Sequence, residues 1–144
     1  LVGSEMCIRD RASPMHVFTV DDLKYLHRGG RVSKTAAIAG SILGIKPLLH
    51  VDNEGHLIPV GKIRGRKQSI EKLVDMMCER MGNWDNSTVA VCHGDCLSDA
   101  EYAADLMRRK LGKKTTVHIC YTGAVIGSHS GPGTLALFFM GDQR

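Results

Sequence analysis

The sequence predicts an α/β domain, a mixed sheet with helices packed on it. Three observations carry this. Ile70, Leu73, Val74, Met77 and Met81 fall at i, i+3, i+4, i+7 and i+11, one apolar stripe of a helix, and Ala100, Ala103, Ala104, Met107 and Leu111 repeat the pattern. Short apolar runs of strand length, residues 88–92 and 115–120, flank the second stripe, so that strand, helix and strand alternate as in a parallel, right-handed β-α-β unit. A further run at 47–51, the turn Asn53-Glu54-Gly55 and a return over 56–63 read as a hairpin, which adds antiparallel pairing.

The elements follow in order. Residues 1–11 (LVGSEMCIRDR) have neither helical nor strand periodicity; positions 1–14 are expected to be a non-native leader or a disordered tail, with the domain occupying 15–144. Asp21 and Asp22 suit the cap of a short helix carrying Leu23 and Leu26, stopped by Gly29-Gly30. Ser33 opens an expected second helix over 33–43, rich in small residues and ended by Gly44. The chain is thus expected to lead with helices and to build its sheet afterwards. Pro59 marks its own segment as an edge or irregular strand. Gly82 lies beyond the first amphipathic helix. Ser98 and Glu101 form a capping box for the second, and Gly112 closes it. Residues 122–134 (TGAVIGSHSGPGT) read as a glycine-rich loop whose backbone N–H groups are available to a ligand. A last strand spans 135–140.

Composition narrows the class. The 144 residues are 43% hydrophobic, 24% charged and 5% aromatic, the balance of one globular domain rather than a disordered chain. No apolar run approaches the ~20 residues of a membrane helix. The net charge of +4 permits an anionic ligand without demanding one. Five cysteines without framework spacing, and no signal-like segment, suit a reduced cytoplasmic protein.

Three constellations are candidates for chemistry. Arg28-Gly29-Gly30-Arg31-Val32-Ser33-Lys34 sets cations around a glycine pair at a helix start, which suits an anion, although on composition alone a helix-to-helix turn with solvated cations is the favoured reading. Lys62, Arg64 and Arg66 alternate and would share one face if the strand continued, facing either a carboxylate or phosphate, or only solvent along an edge strand. His129, ringed by glycine and serine, has little to pack against and can bond an anion or move a proton near neutral pH. A further basic cluster, Arg108 to Lys114, complements the end of a helix dipole. Cys92-His93-Gly94-Asp95-Cys96 has metal-ligand residue types but lacks a second ligand pair at zinc-site spacing, so no metal is assigned. No Walker loop, dinucleotide fingerprint or serine-centred elbow is present.

Residues 23–34 (LKYLHRGGRVSK), Ile45-Lys46-Pro47, the 62–66 stretch and 126–133 (IGSHSGPG), taken together and in this order, resemble the DegV family. Its members include the fatty-acid-binding subunits of bacterial fatty acid kinase. The resemblance runs from about His16 to the end and implies the C-terminal domain of a two-domain protein, with the N-terminal domain absent. It further implies a non-enzymatic carrier of a long-chain fatty acid, with no cofactor. The carrier's partner is the catalytic subunit of a fatty acid kinase, which phosphorylates the carboxylate to an acyl phosphate. By motif match Arg31, Arg64 and His129 would lie near the carboxylate or on the kinase-facing surface, and Ala37, Ile38, Ile42, Leu43 and Ile45 would line the acyl tunnel. A half site is expected to bind lipid poorly, at roughly 0.8 kcal/mol lost per CH₂ left in water. The alternative is a domain that uses the same cations for nucleic acid or phosphate, although the basic clusters lack the interleaved aromatics of a stacking platform. An enzyme with His129 as general base ranks behind both, because no partner nucleophile or acid is evident.

Overall fold

A computed structural model of the chain describes residues 14–32, 44–112 and 114–141. Among them, six strands and four helices follow in the order β1 (Pro14–Thr19), α1 (Leu23–Arg28), β2 (Ile45–Val51), β3 (Leu57–Arg64), α2 (Arg66–Arg80), β4 (Thr88–His93), α3 (Leu97–Leu111), β5 (Thr116–Tyr121), α4 (Ala124–Ser130) and β6 (Leu135–Met140). The strands form one sheet in the order β3-β2-β1-β6-β4-β5. β4 and β5 are parallel, joined through α3 as the β-α-β pattern requires, and the other pairings are antiparallel. The mixed α/β sheet is therefore observed.

Alternation of side chains divides the sheet into two faces. One carries Met15, Val17, Leu48, Val91, Leu135 and Leu137, all buried against the apolar stripes of α2 and α3. The other carries Phe18 and Leu49, which pack with Val20 and with Leu23 and Leu26 of α1. The long helices α2 and α3 thus cover one face, while on the other the short helices α1 and α4 pack against each other. The six-pair register of β1 on β6, from Pro14↔Met140 to Thr19↔Leu135, joins the two ends of the described chain at the centre of the sheet. Asn86 secures the end of β6: its Nδ2 donates to the Met140 carbonyl at 3.0 Å and its Oδ1 accepts from the Met140 N–H at 2.7 Å. Pro59 does lie on an edge strand, β3, close to a register shift at Leu48/Leu49.

Several expectations are corrected. The sheet does not wait for the helices: β1 precedes them and pairs centrally. Its alternation was masked because Met15 and Val17 bury on one face while Phe18 buries on the other. α3 begins at Leu97 after Cys96 without a side-chain capping bond, so Ser98 lies inside the first turn rather than at the cap. Gly112 does follow its end. Arg66 opens α2 instead of continuing β3. Residues 124–130 of the expected loop are helical, and the helix expected over 33–43 lies outside the described residues. No helix among the described residues is long and apolar enough to cross a membrane.

Candidate functional site

The sheet face left open by α2 and α3 forms the floor of a cleft of about 510 Å³. Its floor comprises His16 and Phe18 of β1, Ala136 and Phe138 of β6, and Cys92 of β4, with Val51 and Leu57 from the β2–β3 hairpin. The His16 and Phe138 rings stack with centroids 5.4 Å apart. Leu26 and Arg31 from α1 and the turn after it, and Tyr121, Thr122, Val125, Ile126 and His129 from the end of β5 and α4, complete its lining. Val125 is 77% exposed and Ile126 63% exposed, so α4 turns its large aliphatic side chains away from the protein core. The volume falls in the ~300–1,000 Å³ range typical of small-molecule sites, and the lining is mainly apolar, with a few polar groups that can orient a ligand.

Close backbone approach joins the two groups of residues that complete the lining. Gly29, at the C-terminal end of α1, has a φ of −76°, which any residue tolerates, yet a side chain there would overlap the His129 ring. Gly131 has a φ of +79°, and a side chain there would meet the Tyr25 ring. The two glycine motifs therefore interlock: one supplies space for His129, the other for Tyr25. This brings Arg31 and His129 to the same cleft although 98 positions separate them in sequence.

Several backbone amides of the two glycine motifs are used within the fold. The N–H groups of Gly29, Gly30 and Arg31 donate to carbonyls of Tyr25, His27 and Leu26 at 2.8–3.0 Å, so the glycine pair closes α1. The amides of Gly127, Gly131 and Gly133 donate to Gly123, Gly127 and Gly94. The expectation of free N–H groups in residues 122–134 is thus narrowed to the first turn of α4, whose amides have no intrahelical partner, beside the side chains that line the cleft. Arg31 is exposed and, among the described residues, spends one bond, Nη1 to the Gly29 carbonyl at 3.0 Å, with further guanidinium donors for an anion. His129 is half-buried in the last turn of α4.

The other expected site residues that are described do not join this cleft. Arg64 is exposed on the edge strand β3, opposite Ile45, which is half-buried at the start of β2; neither lines the cleft. Ala37, Ile38, Ile42 and Leu43 lie outside the described residues. Arg66 does not share a face with Lys62 and Arg64. Its Nε donates to Asp99 at 2.8 Å, and its Nη1 lies 3.5 Å from Asp21, a carboxylate that also holds Lys46 at 2.7 Å. A hollow of about 480 Å³ beside Asp105, Arg108, Arg109 and Gly112 sits at the end of α3 and contains none of these candidates.

The cysteine–histidine stretch at 92–96 is split between surroundings. Cys92 lines the cleft, and its Sγ lies 2.7 Å from that of Cys120. Burial and this neighbour push the Cys92 thiol up to about 12. Cys96 instead donates to the Thr134 carbonyl at 3.3 Å, and His93 is buried with Nδ1 accepting from the Cys96 N–H at 3.3 Å. Among the described residues, the group that gathers three potential metal-ligand atoms is Asp52, Glu54 and His56 in the β2–β3 turn. There Asp52 accepts from the N–H groups of Glu54 and His56, bonds that hold its carboxyl below the usual range despite the opposing desolvation and explain the cluster as turn chemistry.

The sequence reading missed Thr122 and the aromatic floor. The Thr122 hydroxyl is buried, lines the cleft and has no hydrogen-bond partner among the described residues. Its signal was position: it follows the C-terminal end of a parallel strand, where α/β proteins place ligands.

Comparison with known proteins accords with this geometry. A family model described as an uncharacterised protein of the DegV family matches residues 8–142. The DegV domain-containing protein CPE0026 of Clostridium perfringens is 47% identical over 129 residues, covering 90% of this chain and 44% of that protein. The chain therefore spans less than half the length of this relative. Among solved structures, the fatty acid binding DegV family protein SAG1342 from Streptococcus agalactiae superposes with a TM-score of 0.77 at 31% identity, over 90% of this chain and 45% of that one. The Streptococcus pneumoniae fatty acid kinase B3 protein loaded with linoleic acid shares the fold, with a TM-score of 0.86 at 16% identity, over 96% of this chain and 48% of that one. On its sequence and its fold alike, the chain belongs to the DegV family.

Proposed function

We propose that this chain forms one wall of a long-chain fatty acid site and helps present the bound carboxylate to a separate kinase, which converts it to an acyl phosphate. The observation that carries the reading is the pairing of an apolar, sheet-floored cleft with Arg31 and His129 at its side. An acyl chain lying on Phe18, Ala136 and Phe138 would bury apolar surface worth roughly 0.8 kcal/mol per CH₂. Arg31 would bind the carboxylate through its guanidinium donors, with His129 and the Thr122 hydroxyl as further hydrogen-bonding groups. The Streptococcus agalactiae relative is a fatty acid binding protein, so the same ligand class is taken by that protein. Arg64 stands outside the cleft on an exposed edge strand and is assigned to the kinase-facing surface. The chain itself performs no chemistry in this reading and needs no cofactor or metal.

Titration calorimetry of the chain with palmitate and with methyl palmitate tests the proposal. The acid should bind more tightly than the ester, and Arg31→Ala should remove most of that difference. The open cleft should bind palmitate more weakly than the longer Streptococcus agalactiae protein does. Equal binding of acid and ester would refute the assigned carboxylate end. Co-purification of nucleotide or nucleic acid, with steep salt dependence and no lipid binding, would replace the proposal with a phosphate-binding role.

A further inference from the structure

We propose that Cys92 and Cys120 form a modification site, a dithiol at the edge of the cleft floor that peroxide converts to a disulfide. The two residues are directly opposed on the parallel neighbours β4 and β5, on the face that α2 and α3 leave open. Their Sγ atoms are 2.7 Å apart, with one thiol donating to the other, and the Cys120 thiol also reaches the Val91 carbonyl at 3.6 Å. Neighbouring strands lie roughly 4.8 Å apart, which falls within the ~4.4–6.8 Å Cα separation of disulfides. The backbone spacing is therefore within disulfide reach.

Exposure assigns the two sulfurs different tasks. β5 is the last strand of the sheet on its side, and Cys120 is exposed there, so peroxide reaches it first. Cys92 is half-buried and acts second. The Cys120 sulfur attacks one peroxide oxygen, the O–O bond breaks, and one water leaves as Cys120 becomes a sulfenic acid. The Cys92 sulfur then attacks the Cys120 sulfur; the S–O bond breaks, the S–S bond forms, and the thiol proton leaves with the hydroxyl as a second water. Two thiols are oxidised and one peroxide is reduced. The other described cysteines are placed differently. Cys78 packs against the helix-covered core, and Cys96 is tied to the Thr134 carbonyl.

The test treats the whole chain with hydrogen peroxide, blocks remaining thiols with iodoacetamide, and maps tryptic peptides without reduction by mass spectrometry. Cys92 and Cys96 share the peptide 81–108, while Cys120 lies in 115–144, so Cys96→Ser and Cys92→Ser variants identify the partner. The linked pair should form in the unmodified sequence and in Cys96→Ser, with two free thiols lost, and should disappear in Cys92→Ser. Linkage of Cys120 chiefly to Cys7, Cys78 or Cys96 would overturn the proposal. So would an unlinked Cys120 that accumulates as sulfinic or sulfonic acid, or one that remains reduced.

Discussion

Replacing Gly29 by alanine puts a methyl group where the His129 ring now lies, at a backbone position whose φ of −76° alanine adopts freely. The substitution therefore isolates side-chain overlap from backbone strain. The opposed atoms include His129 Cγ and Cβ as well as the ring nitrogen, so rotation of the ring tip alone does not relieve the contact. Overpacking of this kind costs about 1–3 kcal/mol, and the lower freedom of an unfolded alanine returns about 0.4–1 kcal/mol. The net loss should be about 0.5–2 kcal/mol, or about 2–7 °C in Tm for a domain of this size. Urea unfolding and thermal melts read this directly. Truncating His129 to alanine in the Gly29→Ala background removes the obstacle, so the double variant should recover the loss, with a coupling energy of about 0.5–2 kcal/mol. Palmitate binding should weaken in Gly29→Ala as well, because the displaced imidazole leaves its place at the cleft. A Gly29→Ala protein as stable as the parent, or a double variant that shows no coupling, would refute the interlock between the two glycine motifs.

Three further outcomes are expected. Leu137→Ala removes a fully buried side chain from β6 and should cost about 2–5 kcal/mol by chemical denaturation. Arg66→Ala breaks the pair with Asp99 and leaves Asp21 with Lys46 alone; for a partly buried network the loss should be about 1–3 kcal/mol, and in Asp99→Asn the Arg66→Ala cost should shrink. Burial, reinforced by Arg80, lowers the folded-state value of His50 below its ordinary 6.5. Its contribution is therefore present above that ordinary value and is lost as pH falls through the lowered one, because the unfolded chain takes up the proton first. The His50→Leu protein should lose less stability between neutral and mildly acid pH, and equal slopes of stability against pH in the two proteins would count against this assignment.

Local pattern carried much of the fold. The stripes of α2 and α3, the β4-α3-β5 unit, the Asp22 cap of α1 and the strand β6 rest on spacings that survive into the structure. β1 was not legible because burial on both faces erases period-two alternation, and its pairing partners come from far along the chain. α4 was hidden by composition. Gly127 weakens a helix, but contacts with α1, including His129 against Gly29, supply what propensity lacks. The same argument separates Arg31 from Arg64. Both belong to glycine-associated basic motifs in sequence, but only Arg31 is carried to the cleft by the interlock. Arg64 is one strand position from the chain's turn into α2, and nothing in its spacing tells an edge from a site.

The position of β6 bears on how the polypeptide emerges from the ribosome. It is the last strand among the described residues, yet it lies between β1 and β4 and bonds to both. Until residues 135–140 are made, the β3-β2-β1 hairpin array and the β4-β5 pair are two separate half-sheets. Each then presents an open, apolar edge at β1 or β4, the kind of template that recruits a strand from another chain. Closure depends on contacts between residues more than a hundred positions apart, which slows folding and prolongs that exposure. Translation that stalls before Leu135 would therefore leave a sticky intermediate that needs chaperone protection, whereas six further residues complete the sheet from its centre outward.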